Sequence, residues 1–313
     1  MKHTCTLYAH RLLTWYCQHV HLLLMTSPRP GLAWPLLLLF ASILLSGCSA
    51  LMSRASAGLA SNLSAAILNQ DDPETVRDGI PAYLIMLDSF VAGAPEDVAM
   101  LSAAAELYAA YGVVFVDEPE RAGRLTQRSW DYGQRALCNA NASTCGMANL
   151  HLRDMQPILD ALDRKNSGPL YTFGLSWLAY IQTHSDEADA LARLPQATAV
   201  MLRTRELDID YRPGQVEMYL AVLNTIRPPA LGGDFIAGRA HYERAIELTS
   251  GRDLSVQVKF ARYYARTLYD RELHDQVLQQ VLKADPIEPG LTLTNTLAQR
   301  EARILLNNAD DYF

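Results

Sequence analysis

The chain has 313 residues, half of them apolar, 19% of them charged, with a mean hydropathy of −0.02. These values exclude a disordered chain and allow one or two domains with a core of normal size. The formal net charge is −7, which excludes the broadly basic face of a typical nucleic-acid binder.

The charge is unevenly spread. Residues 1–47 contain Lys2, Arg11 and Arg29 and no Asp or Glu. Subtracting those three from 27 basic residues leaves 24 against 34 acidic ones, a net of −10 from Cys48 onward. The 27 basic residues are 23 Arg and only 4 Lys. Within the leader, residues 36–45 form an apolar run. It is too short for a spanning helix, which needs about 20 residues, and fits the apolar region of a signal peptide. The run ends in Leu45-Ser46-Gly47-Cys48, which resembles a bacterial lipobox. Small residues before the Cys suit a signal peptidase, and the Cys48 thiol would carry the lipid, several acyl chains giving stable anchoring. A plain cleaved signal with a chance Cys is the simpler alternative. A 47-residue signal exceeds the usual 15–30 or so, and Met25-Thr-Ser-Pro-Arg-Pro is the expected true start. Ser49 in place of Asp points to the periplasmic face of the outer membrane. Residues 48–58 read as a lipidated linker, and 59–313 as a single helical-repeat domain.

From residue 59 the apolar period is 3.6, with no strand-like alternation. Leu59, Leu63, Ala66 and Ile67 make one stripe. Asp71-Asp72-Pro73-Glu74 predicts a helix start, acidic at the cap with Pro in the first turn. Pro95-Glu96-Asp97 and Pro119-Glu120 predict two more, the second running through Trp130 and Leu137. A break is expected over 138–149, then a short helix over 150–163 and a turn at Asn166-Ser-Gly-Pro169. Further helices are predicted over 171–183, 195–207 (on Ala199, Leu202, Arg203 and Leu207), 215–226 and 235–248. Helices 253–269 and 271–284 read as a tight pair, and 291–307 as the last helix. Cys138 and Cys145 close a small loop, and in an oxidising compartment they are expected to form a disulfide, two free thiols being the alternative.

Helices of this length with short loops suggest stacked αα-hairpins. Ala240, Tyr242, Ala245, Ile246 and Leu248 resemble the second helix of a tetratricopeptide repeat. Ala261, Tyr264 and Ala265 resemble a first helix, with Leu278, Val281, Leu282, Asp285 and Pro286 its partner and stop. An Ala at a helix crossing permits close approach, and the aromatic beside it fills the adjoining hole. The expected fold is all-α, an α-solenoid of degenerate repeats, with a non-repeat bundle as the alternative.

No Walker loop, dinucleotide fingerprint, zinc-protease motif or nucleophile elbow is present in the sequence. His151, His184, His241 and His274 lack the helical spacing of a metal site, and most carboxylates sit at helix starts. No catalytic residue, cofactor or metal is expected, although an enzyme with scattered site residues stays open. Two features stand out. Pro228-Pro229-Ala-Leu231-Gly232-Gly233-Asp234 combines stiffness with backbone freedom, and Gly233 is expected to need a positive φ. This loop reads as a cleft or partner contact, or simply as a shaped connector. Tyr171, Phe173, Trp177 and Tyr180 form a broad aromatic face, which is either core packing or the wall of an apolar pocket.

Together these features resemble the T-component family of TRAP transporters, periplasmic tetratricopeptide-like lipoproteins. The resemblance runs from about Leu59 to Phe313. It rests on Ala66-Ile-Leu, Asp71-Asp-Pro-Glu-Thr-Val, Gly79-Ile-Pro-Ala-Tyr-Leu and Leu101-Ser-Ala-Ala-Ala-Glu-Leu-Tyr-Ala. Arg227-Pro-Pro-Ala-Leu-Gly-Gly-Asp, Ala302-Arg-Ile-Leu-Leu and the terminal Asp310-Asp-Tyr-Phe complete it. The resemblance implies an accessory protein that binds the periplasmic substrate-binding protein of a TRAP transporter. It also implies a homotrimer and a cleft for a small hydrophobic ligand. It carries over no catalytic residue, and the Cys138/Cys145 loop has no place in the family pattern. The alternative is a tetratricopeptide lipoprotein that scaffolds outer-membrane, pilus or secretin assembly.

Overall fold

Helix starts are written locally by Asp. A computed structural model of the chain describes residues 65–313. The leader and the whole 48–58 linker with Cys48, together with Leu59 and Leu63, lie outside the described residues. Helix α1 spans Pro73–Gly93, with Asp72 as its cap accepting from the Glu74 amide. Helix α2 spans Val98–Val114 and starts at Asp97, whose carboxylate accepts from Met100 N, so Pro95 and Glu96 precede the helix. Helix α3 (Pro119–Ala140) begins on Pro as expected. Asp234, Asp253 and Asp270 cap later helices in the same manner. A carboxylate at this position satisfies an amide that has no partner within the helix and lies at the positive end of its dipole.

Helix α3 runs through Cys138, so the break begins only at Asn141 and consists of two 3₁₀ turns. Cys138 and Cys145 are bridged across it, with Cα atoms 4.6 Å apart. Helix α4 (Leu152–Asp160) is short. The sequence predicted a turn at 166–169, but Ser167, Gly168 and Pro169 form the first turn of α5 (Ser167–Thr183). Pro is compatible there because amides of the first turn have no helical acceptor to lose.

Helix α6 (Leu194–Leu207) buries Ala197, Val200, Met201 and Thr204, while Ala199, Leu202, Arg203 and Leu207 are only partly covered. The expected stripe was therefore rotated by about one residue. Arg203 is instead half-buried because its guanidinium donates to the Leu159, Asp160 and Leu162 carbonyls that end α4.

Helices α7 (Pro213–Thr225) and α8 (Phe235–Leu248) form a hairpin. Helix α9 (Leu254–Lys259) continues through a π-helical turn, Phe260–Ala265, and pairs with α10 (Arg271–Lys283). Helix α11 (Thr292–Asn307) is the last long one, and the terminal Ala309–Tyr312 forms a single further turn. At the α8/α9 crossing, Ala245 and Tyr242 are fully buried and the Tyr242 ring lies 5.1 Å from Phe260. This is the small-plus-aromatic packing anticipated for a repeat.

The fold is all-α, and successive helices pack on one another as helical-repeat hairpins. Helices also meet beyond their neighbours in the chain: α2 with α5, α7 with α9, and α9 with α11. The row then returns to its start. Leu293 of α11 joins Val76, Ile80 and Leu84 of α1 in one core. Nη1 and Nη2 of Arg300 donate to the two oxygens of the Glu74 carboxylate, and Gly290 N donates to Asn69 Oδ1 at 2.7 Å. No helix of the described residues is long and apolar enough to cross a membrane.

Candidate functional site

The predicted aromatic face divides. Phe173 and Trp177 are each 2% exposed and pack on Trp130, whose ring lies 4.9 and 4.8 Å away. They are core, not the wall of a cleft. The reason is geometric: α5 is covered by α2, α3 and α6 on most of its circumference, so aromatic residues at helical spacing fill interhelical space. Tyr171 is also buried, but it stands directly behind a cavity. Its ring meets Tyr211 edge-on at 5.7 Å, and its hydroxyl donates to Gln215 Oε1 at 3.0 Å.

Tyr211 lines a cavity of about 220 Å³ formed by the end of α6, the 208–212 loop, the start of α7 and the end of α8. Its apolar wall is Ile209, Pro213, Val216 and Leu248, and Arg205, Asp208, Glu217 and Arg244 supply charge. Glu217 is buried, with His241 Nδ1 at 2.5 Å and Arg205 Nη1 at 3.8 Å. Asp208 accepts from Arg164 Nη2 at 3.0 Å. These ion pairs hold the walls together.

Arg212 joins the cavity to the core. It precedes Pro213 with φ +47°, a left-handed conformation uncommon for a residue with a Cβ. Its guanidinium covers the rings of Tyr171 and Tyr211, at 5.0 and 5.8 Å, and Nη1 donates to Glu106 Oε2 at 2.9 Å. Thr172 donates to the other Glu106 oxygen at 2.9 Å. Burial is the largest single influence and works against the Arg212 charge, but Glu106, Tyr171 and Tyr211 together outweigh it and raise the pKa. Burial pushes Tyr171 well above the ordinary tyrosine value and Tyr219, on α7, up to about 12. Tyrosines in such surroundings stay neutral and offer rings and hydroxyl donors, not acid–base chemistry. The geometry suits holding a small molecule with an apolar body and a polar end. The sequence signal for this site was thin: one exposed Ile209 between Asp208 and Asp210, just ahead of a Pro-initiated helix.

The 228–234 loop lies at the other end of the α7/α8 hairpin, about 20 Å away by helix rise. It lines neither described cavity. Pro229–Leu231 form a 3₁₀ turn, and Asp234 caps α8 by accepting from Ala237 N at 2.9 Å. The positive φ belongs to Gly232 (+87°), not to Gly233. Gly233 is needed for a different reason: a Cβ there would lie 2.0 Å from the Arg227 carbonyl oxygen. Leu231 projects into solvent at 68% exposure and Ile236 at 88%, so the hairpin tip is apolar.

A family model described as TRAP transporter T-component matches residues 69–313. The chain belongs to the TRAP transporter T-component family. No curated protein matches it significantly. The family is an accessory one in transport, so this T-component takes an accessory role in a TRAP transporter system. Among its described residues no group of three or more His, Cys, Asp or Glu is arranged to hold a metal ion.

Proposed function

We propose that this T-component is a lipid-anchored accessory protein on the periplasmic face of the outer membrane. In this reading Cys48 carries the lipid and the body binds the periplasmic substrate-binding protein of its TRAP transporter. The observation that carries the partner assignment is the apolar hairpin tip. Leu231 on the loop and Ile236 in the first turn of α8 are held outward, the backbone between them being fixed by Gly232, Gly233 and the Asp234 cap. Exposed apolar side chains clustered on a rigid protrusion, unfavourable in water, mark a protein contact site. The cavity beside Tyr211 then takes a small hydrophobic ligand, and three copies assemble as a homotrimer. Chemistry on a substrate forms no part of the role.

The test is a pull-down of the mature protein from a periplasmic extract, with mass spectrometry to identify any retained TRAP substrate-binding protein. Wild-type protein retains it, and Leu231→Ser with Ile236→Ser reduces retention at least about tenfold, since two buried apolar anchors commonly exceed 1.4 kcal/mol. Retention unchanged by the double substitution would remove the tip from the interface, and absence of any complex would defeat the partner assignment. Light scattering reads the trimer, and mass spectrometry of the mature N-terminus reads the lipid.

A further inference from the structure

A second cavity, of about 380 Å³, is lined by Tyr108 of α2 and by Arg121, Arg124, Leu125 and Arg128 of α3. The three arginines stand at i, i+3 and i+7, on one face of α3. Two of them are oriented by rings: Arg121 lies over Tyr111 and Arg128 over Tyr108, each at 5.6 Å. Asp88 of α1 fixes Arg128 from below. One Asp88 oxygen accepts from Arg128 Nη1 at 2.7 Å and from the Tyr108 hydroxyl at 2.8 Å. The other accepts from the Tyr132 hydroxyl at 2.7 Å. Asp88 is the one carboxylate bonded to these arginines among the described residues. Arg121 reaches only the Tyr111 hydroxyl, at 3.4 Å, and Arg124 has no side-chain hydrogen bond or ion pair to another described residue. Glu118 and Glu120 stand at the start of the same helix without ion-pairing to it. Three guanidinium groups against one saturated carboxylate leave two positive charges on one cavity, in a chain that is acidic overall.

A planar carboxylate is satisfied by a single guanidinium fork. Three guanidinium groups from successive turns of one helix suit a tetrahedral oxyanion, whose oxygens point in several directions. The Tyr108 ring and Leu125 add an apolar wall, and the cavity is far larger than a bare phosphate. We propose that this groove binds a phosphoryl group carried on a small organic body, either a soluble phosphomonoester or a phospholipid headgroup. The site is separate from the hairpin tip and from the Tyr211 cavity, and it stands whether or not the proposed partner assignment holds.

The test is calorimetric titration of the purified full chain at low salt with inorganic phosphate, glycerol 3-phosphate and benzoate. It is paired with cosedimentation on phosphatidylcholine vesicles with and without phosphatidic acid. Glycerol 3-phosphate should bind more tightly than phosphate, and benzoate weakest. Arg124→Gln, which breaks no internal bond, should weaken binding about tenfold or more, with an unchanged thermal midpoint. Arg153→Gln, at a strongly exposed site on α4 paired only with Asp154, should leave it unchanged. Saturable glycerol 3-phosphate binding without vesicle binding identifies a soluble ligand. Phosphatidic-acid-dependent sedimentation lost in Arg124→Gln identifies a headgroup. No saturable binding of either kind, benzoate binding as tightly as glycerol 3-phosphate, or equal losses in the two Arg variants would overturn the proposal.

Discussion

Phe173 and Trp177 of α5 and the tyrosines of α2 and α3 are similar side chains that do opposite things. On α5, Phe173 and Trp177 meet only other core groups and lose contact with water. On α2 and α3, Tyr108, Tyr111 and Tyr132 are equally buried at the ring, yet each carries an arginine on its outer side. The first set is filling. The second is a foundation that holds charged groups in fixed directions at the surface. The comparison also accounts for part of the excess of Arg over Lys. Among the described residues, every cation found over a ring is Arg and every such ring is Tyr. A planar, weakly hydrated guanidinium stacks on a ring and keeps donors free at its edge, which an ammonium group does less well.

The largest expected effect is on the filling side. Trp177→Ala should cost about 3–5 kcal/mol of stability by urea denaturation, because a buried indole leaves a cavity the packed helices cannot close. A loss below about 1 kcal/mol would break the distinction. The next effect is on the foundation side and depends on pH. Burial and the Asp88 carboxylate, which accepts from the hydroxyl, push Tyr132 up to about 12 from its ordinary 10. A folded-state pKa above the unfolded one stabilises the protein fully below pH 10, and that contribution fades between pH 10 and 12. Denaturation midpoints should fall over this window, and Tyr132→Phe should flatten the fall. Equal slopes in both proteins would remove Tyr132 from the account.

Smaller effects sharpen the boundary between the two sets. Tyr171 belongs to both, buried like filling and covered by Arg212 like foundation. Tyr171→Phe should cost about 1 kcal/mol, the worth of its hydrogen bond to Gln215, and should leave the Arg212 position unchanged in a crystal structure. The smallest effect is expected from Arg121→Lys. It should cost about 0.5 kcal/mol through weaker stacking on Tyr111, with the difference shrinking at high salt.

The candidate sites show where reading from sequence stops. Tyr171, Phe173 and Trp177 share a helix and a residue class, so periodicity treated them alike; only the position of Tyr211 and Arg212 set Tyr171 apart. The Gly232-Gly233 pair was recognisable as a backbone requirement. Which glycine served which need depended on the Arg227 carbonyl folding back against Gly233. Nothing local in α3 sets Arg121, Arg124 and Arg128 apart, since the tyrosines beneath Arg121 and Arg128 belong to α2.

By itself the sequence determined that the body is helical and where several of its helices begin. Asp72, Asp97, Asp234, Asp253 and Asp270 accept from amides two or three residues away, and Pro73 and Pro119 sit in first turns that need no amide; neither effect needs tertiary context. It determined the family for the same reason, because the matching landmarks are short and local. Only the tertiary structure decided the rest. It set which face of α6 is buried, which aromatics stack on each other and which carry arginine. It also returned α11 to α1 through Arg300 and Glu74, 226 residues apart. Those outcomes depend on contacts between distant segments, whose energies appear only when the helices are packed.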